Sequence, residues 1–459
     1  MTTDVNGVAS KRHAGTRPPG PKGYPLVGVL PKLVRDPAGF CTAAMLEFND
    51  LVRLNLGFAS IYLVTLPDHI HHVLVDNHEN YWKGKLFARA RFLFGKGLVL
   101  NEGESWRHQR HLMQPAFAHR RVASLVPLMA DVVEQRLAGW EAASLAGRPI
   151  NMGKEMMSLT LRIITKTMFS LSITDGQLTE MARAFNTALH HMTLRMFTFF
   201  LPEWAPLKGR QGCREAVATL EAMTYRTLRE RRESGQDPDD LLAMLLSARD
   251  EAGRGMSDLE IRDEVMTTLF GGYEATADAL TWAWYLLDQH PDVDARMREE
   301  VAAVTGGRTP TFEDLPRLTY TAQVAEETMR LFPPFWFYTR TAHGDDEIGG
   351  HRVPAGALVL LCPYATHRNP AYWEEPAAFR PERFAPERAA DRPRNAYFPF
   401  GTGQRMCIGR HLAMLEMQLI LAMVAQRYRP RLTPGRPVVP RAGTSLRSED
   451  GIWMIPERA

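Results

Sequence analysis

The residues with the clearest chemical potential lie in Phe400-Gly401-Thr402-Gly403-Gln404-Arg405-Met406-Cys407-Ile408-Gly409, just ahead of a long apolar run. Glycines around one cysteine at a loop-to-helix junction permit a tight turn that directs backbone N–H groups and a helix N-terminus at the sulfur, and those donors favour thiolate over thiol. A dinucleotide-binding loop would need Gly or Ala at position 406 and meets Met. An inert buried cysteine is the structural alternative. A second polar concentration is Phe270-Gly271-Gly272-Tyr273-Glu274-Ala275-Thr276, midway along a helical pattern that opens on a Ser257/Glu260 capping box and runs to about Asp288, where His290-Pro291 follows. Glycine inside a helix costs about 1 kcal/mol against alanine, and an unpaired buried carboxylate costs more. Either another helix crosses closely at this notch, or something flat lies against the glycines with polar groups beside it.

The pattern F-x-x-G-x-R-x-C-x-G resembles the haem-binding loop of the cytochrome P-450 family of haem-thiolate monooxygenases. That resemblance implies that Cys407 is the axial iron ligand, that Phe400 and Gly401 shape its loop, and that Arg405 meets a haem propionate. Further segments resemble the family in its own order. Glu327-Thr-Met-Arg330 is similar to its E-x-x-R helix and Pro381-Glu-Arg383-Phe384 to the segment that adds a second arginine, which implies a buried Glu327, Arg330, Arg383 network under the loop. Spacing alone makes Glu327 and Arg330 a common surface pair, and Glu326 also stands one turn from Arg330. Trp106-x-x-x-Arg110 resembles the propionate-binding W-x-x-x-R, in the form typical of the fatty-acid-hydroxylase and microsomal branches, whereas many soluble bacterial members carry His there. Arg340 is similar to another propionate arginine. Gly271, Gly272 and Glu274 match A/G-G-x-D/E-T, which puts Gly271 against the haem and Gly272, Glu274 and Thr276 at the oxygen-activating site. Ala275 departs from the pattern. It stands where the family usually has Thr, and the hydroxyl comes one residue later, about 100° around the helix.

The implied cofactor is haem b with O2 as co-substrate, and the implied activity is hydroxylation or epoxidation of an apolar substrate in secondary metabolism: terpenoid, polyketide, fatty-acid-like or aromatic. Oxidative coupling or cyclisation on the same haem is an alternative that the Ala275 departure permits. A haem-binding sensor or carrier is an alternative of a different class. The chain ends without a flavin or ferredoxin domain, so electrons from NAD(P)H are expected through a ferredoxin or flavodoxin and its reductase. Arg107, His108, His111, Arg120, Arg121, Arg410 and His411 are candidates for the docking face. By family position, Phe87, Leu98, Val99, Phe270, Ala275, Phe335, Trp336, Phe337 and Leu446 line the substrate pocket, and Met192 to Leu201 form its lip.

The elements that must position these groups are mainly α with small β-sheets, which fits the cytochrome P-450 fold, its haem between the long helix at about 258–288 and the helix after Cys407. A Pro/Gly-rich lead-in over 1–25 precedes one domain over 26–459. Runs beginning at Val52 and Ser60, the region Thr339 to Pro363 and the tail GIWMIPE read as strands, while Trp106 to Ala248 and Arg410 to Tyr428 read as helical. In 459 residues, hydrophobic types make up 45% and charged types 23%, enough apolar material for a packed core and too little charge for disorder. A net charge of +3 gives no reason to expect nucleic acid. Cys41, Cys213, Cys362 and Cys407 are too scattered for a disulfide framework or a zinc site. No run is apolar enough for a membrane span and the opening residues lack a signal-peptide core, so the expectation is a cytoplasmic monomer. His69, His71 and His72 read as polar edges of a helix, without the further ligands a metal site needs.

Overall fold

In the computed structural model, residues 15–198, 201–202, 204–235, 238, 240–249 and 253–459 are described. Phe199 and Phe200 of the expected pocket lip, and residues 1–14 of the lead-in, lie outside them. Among the described residues helices dominate, with four small sheets. In the largest sheet Val52–Asn55 pairs antiparallel with Ser60–Val64, which runs parallel to Leu358–Leu361, and Tyr338–Ala342 and Tyr81–Trp82 follow antiparallel. The tail strand Trp453–Arg458 joins Tyr428–Leu432 and Ile150–Asn151 in a three-stranded sheet.

The long helix spans Asp258–Gln289. Its start is fixed by the reciprocal cap: Ser257 Oγ accepts from the Glu260 N–H at 3.3 Å and the Glu260 carboxylate accepts from the Ser257 N–H at 2.8 Å. At 1.5 Å per residue it is about 48 Å long, and it is buried along most of that length. Met152–Phe169 packs along it. The two readings of the notch divide between its two glycines. A Cβ at Gly272 would come within 2.6 Å of Ile164 Cδ1, so that glycine admits the crossing helix, whereas a Cβ at Gly271 would meet nothing within 4 Å. Space beside Gly271 belongs to an interior chamber.

Arg410–Arg427 follows the cysteine loop and buries Leu412, Met417 and Leu419 to Ala425 in the same core. The histidine group does not converge. His72 Nε2 meets Asp346 Oδ2 at 2.8 Å and His71 Nδ1 faces Asn395 at 3.1 Å. Among the described residues no three metal-ligating side chains cluster, and no helix is long and apolar enough to cross a membrane.

Candidate functional site

The cysteine loop is shaped by backbone that only glycine adopts readily. Gly401 and Gly403 both have φ of +69°, and a Cβ on Gly403 would sit 2.2 Å from the Leu74 carbonyl oxygen. The Cys407 N–H donates to the Phe400 carbonyl at 2.9 Å, closing the loop on itself. Gly409 caps the helix Arg410–Arg427 close to the sulfur. Of the four cysteines, Cys41, Cys213 and Cys362 are buried and Cys407 is accessible, opening into the chamber. Burial pushes its thiol up, while the Gly409 N–H and the Arg110 and Arg410 charges pull it down. Those donors would hold an anion at the sulfur once a cation faces it.

Around one edge of the chamber stand Arg110, Arg340 and Arg405. Arg110 donates to the Met406 carbonyl at 2.8 Å, Arg340 to the Thr339 carbonyl at 2.8 Å, and Arg405 to the Asn101 carbonyl at 2.8 Å while its guanidinium lies 3.7 Å from the centre of the Trp106 ring. Lys83, a residue the sequence reading missed, joins them. Burial first, then the Arg340 and Arg405 charges, hold its ammonium well below the ordinary lysine range. Burial likewise pushes Arg405 down to about 10. Glu102, paired with Arg405, is the carboxylate that raises both. Four basic side chains depressed mainly by burial, with one carboxylate among them, form a site that favours further anionic groups. Two carboxylates on a flat macrocycle meet that requirement. The open face of Gly271 and the sulfur of Cys407 both border the same chamber, so the residues present fit haem.

Beneath the loop, Arg330 donates from Nε and Nη2 to the two Glu327 oxygens at 2.7 and 2.8 Å, both side chains being fully buried. Its remaining donors reach the carbonyls of His367, Pro376 and Ala378. Arg383 Nε lies 3.3 Å from Glu327, too poorly aligned for a hydrogen bond, and its Nη2 donates to the Glu375 carbonyl at 2.9 Å. Burial keeps the His367 ring well below its ordinary range, and the neutral Nε2 accepts from the Phe398 N–H at 3.0 Å. The network thus reaches the chain two residues before Phe400. Glu326 takes no part in this pairing; burial raises its carboxyl to about 7, with Arg410 opposing.

The chamber wall brings together Phe87, Leu98, Val99, Phe270, Ala275, Phe335 and Phe337, with Gly271, Gly272 and Thr276. Three expected residues lie elsewhere. Trp336 turns into a separate core cluster under the large sheet, its indole N–H donating to the Gly443 carbonyl at 2.7 Å, because alternation along the chain sends Phe335 and Phe337 to the chamber and the residue between them away. Leu446 is sealed in that same cluster, its carbonyl accepting from Trp282 Nε1 at 2.8 Å; Thr444, two residues earlier, takes the wall position. Glu274 does not line the chamber either. Arg447 pairs with it and with Asp278, and Ser445 Oγ donates to it at 2.9 Å. Burial pushes its carboxyl up, opposed by Arg447. Glu416 was also missed, a buried carboxyl on the chamber wall that burial pushes well above the ordinary carboxylate range.

Residues 18–457 match the family described as Cytochrome P450. Cyclooctatin synthase of Streptomyces melanosporofaciens is 38% identical over 441 residues, covering 95% of each chain. Cyclooctat-9-en-7-ol 5-monooxygenase of the same organism is 37% identical over 417 residues, covering 90% of each. Among solved structures, the cytochrome P450DA heme domain superposes with a TM-score of 0.88 at 27% identity, over 97% of this chain and 98% of that one.

Proposed function

The chain belongs to the cytochrome P450 family of haem-dependent oxidoreductases, and on that premise we propose that it inserts oxygen from O2 into a terpenoid-type carbocycle, using NAD(P)H electrons delivered by a ferredoxin or flavodoxin and its reductase. The observation that carries the reading is the chamber, which sets Cys407 and four basic side chains against a largely apolar, aromatic wall. In this reading Cys407 holds the iron, Lys83, Arg110, Arg340, Arg405 and Trp106 hold the propionate edge, and Glu327, Arg330 and Arg383 keep the loop in place. Haem, once bound, supplies an O2-activating iron whose thiolate ligand favours O–O cleavage. The printed name of one relative supports the substrate class: it acts on a cyclic alkene that already carries a hydroxyl. Turnover with a surrogate ferredoxin pair under isotopically labelled dioxygen tests the function. Label in the product supports oxygen insertion, and a coupled or cyclised product without label overturns it.

On the reaction side, Thr276 borders the chamber while Arg447 holds Glu274 behind the wall. Proton delivery then rests on Thr276, on water admitted at the notch, or on a substrate hydroxyl. Thr276→Ala is expected to lower the product formed per reductant consumed by less than about tenfold, short of the ~100-fold or more that a sole positioned proton donor contributes. Ala275→Thr adds bulk to the wall and should weaken substrate binding. A complete loss of product in Thr276→Ala, with binding and haem content intact, would make Thr276 the proton-delivery residue.

Arg120, Arg410 and His411 are exposed, the latter two opening the helix that follows the cysteine loop, whereas Arg107 is already paired with Glu104 and lies 3.5 Å from Glu79. Exposed charges are screened beyond about 8 Å at physiological salt, and steering of this kind is worth roughly 10-fold or more in association rate. Reduction by an acidic ferredoxin is therefore expected to slow steeply with salt and with Arg120→Glu, dithionite reduction staying constant. Stopped-flow rates that ignore salt would exclude this docking face.

A further inference from the structure

Between the short helix Arg91–Phe94 and the helix Gly103–Met113, the chain crosses the long helix at Gly95, Lys96, Gly97 and Leu98, directly over Asp263, Glu264 and Thr267. Gly95 has φ of +51°, and a Cβ there would lie 2.0 Å from Asp263 Oδ2. A Cβ on Gly97 would lie 2.1 Å from Thr267 Oγ1 and 2.6 Å from the Asp263 carbonyl oxygen, so only glycine allows this approach. Two acids of the helix hold the segment down. Asp263 Oδ2 accepts from the Lys96 N–H at 2.7 Å, and Glu264 Oε2 accepts from the Leu98 N–H at 3.1 Å. From the other side Gln109 Nε2 donates to the Lys96 carbonyl at 3.0 Å. Lys96 is exposed, whereas Leu98 and Val99 line the chamber. The segment is therefore a strap one chain thick between solvent and chamber.

What the strap covers is not satisfied. Glu264 is 0% and Thr267 7% exposed, and Glu264 Oε1 and Thr267 Oγ1 have no hydrogen-bond partner among the described residues. Helical threonines ordinarily donate to the carbonyl one turn back, as Thr281 of the same helix does to Ala277 at 2.6 Å, but Thr267 does not. Gly97 packs against its hydroxyl too closely for water to come between them, and both oxygens are sealed from solvent and from the chamber alike. Burial pushes the Glu264 carboxyl up to about 8, with the Leu98 N–H opposing, which shows how poorly the closed strap solvates it. Lifting the strap would give both groups to water. Closing it forms two backbone hydrogen bonds to the acids and strands two polar atoms, and a stranded atom costs at least as much as one such bond contributes.

We propose that Gly95 to Leu98 form a strap poised to lift from the long helix, opening a passage from solvent to the chamber, and that the stranded Glu264 and Thr267 oxygens are what keep its closed state only marginally favoured. Segments that open locally are those whose closure gains little, and here the loss is built into the helix beneath. Asp263 and Glu264 are positioning residues in this scheme: they touch no substrate and set where Leu98 and Val99 stand in the wall. The proposal rests on the chamber as the site of chemistry and is independent of which substrate enters it.

The test has two readings on the haem-loaded protein: hydrogen exchange of the backbone over 95–99 by mass spectrometry, and the stopped-flow rate at which 4-phenylimidazole reaches the iron. Thr267→Val is isosteric and breaks no hydrogen bond within the protein, yet removes one stranded group. It is expected to slow both exchange and ligand entry at least about fivefold. Thr267→Ser, which keeps the hydroxyl, should behave as the wild type. Gly97→Ala cannot seat the strap against Thr267 and the Asp263 carbonyl, and should speed both readings about fivefold or more. Unchanged or faster exchange in Thr267→Val would overturn the role of the stranded groups. Exchange that slows in Thr267→Val while 4-phenylimidazole enters at the wild-type rate would overturn the strap as the passage, and leave the oxygenase reading standing.

Discussion

Cys407→Ala is expected to abolish the red-shifted Soret band of the reduced carbon monoxide complex outright, while alanine at Cys41, Cys213 or Cys362 leaves it in place. The structural reason is access. Cys41 and Cys362 are sealed in the cluster that also holds Trp336, and Cys213 is buried on the helix Arg210–Ser234, whereas Cys407 opens into the chamber opposite the glycine notch. The Gly409 N–H and the Arg110 and Arg410 guanidinium groups favour the anion at that one sulfur. The variant loses a sulfur that faces open space, so its fold should be little disturbed, and far-ultraviolet circular dichroism separates loss of the ligand from loss of the protein. A red-shifted band in Cys407→Ala would mean that another thiol holds the iron.

What could be read from sequence follows from how local each signal is. The cysteine loop was legible because its shape depends on neighbours in the chain: Gly401 and Gly403 supply the positive φ, and the helix starts at once after Gly409. The long helix was legible for the same reason, since its cap lies within four residues of its start. Side-chain direction was less so. Glu274 is set by Arg447, a partner 173 residues away, and nothing near position 274 records that pairing. Trp336 and Leu446 failed because a family segment can border a pocket while individual residues alternate in and out. Lys83 has no motif, and only its burial beside Arg340 and Arg405 exposes it. Glu416 did leave a signal: it is the only charged residue from Leu412 to Ala425, and a lone carboxyl in an apolar helix invites a question about its role.

Arg330→Ala is expected to cost about 3–5 kcal/mol, the penalty for leaving a buried ion unpaired, against a total stability of only about 5–15 kcal/mol for a typical protein. The arginine does more than neutralise Glu327. Its guanidinium also serves the carbonyls of His367, Pro376 and Ala378, so truncation strands one carboxylate and three acceptors together. Arg383 cannot take over, being already committed to the Glu375 carbonyl and badly aligned with Glu327. Lysine should fail to rescue, because one ammonium cannot span the planar fork that reaches five acceptor atoms in different directions. Glu327→Gln should be milder, since an amide oxygen still accepts from Arg330 and from the Arg380 N–H that Glu327 receives at 2.9 Å. The damage passes to the cofactor side through His367, whose carbonyl Arg330 holds and whose ring holds the Phe398 N–H, so the cysteine loop loses its support as the helix loses its pair. Haem content per chain and thermal melting, measured together, are therefore expected to collapse in Arg330→Ala and Arg330→Lys and to fall only partly in Glu327→Gln. Fully loaded Arg330→Ala with a wild-type melting temperature would show that the loop is held by other contacts.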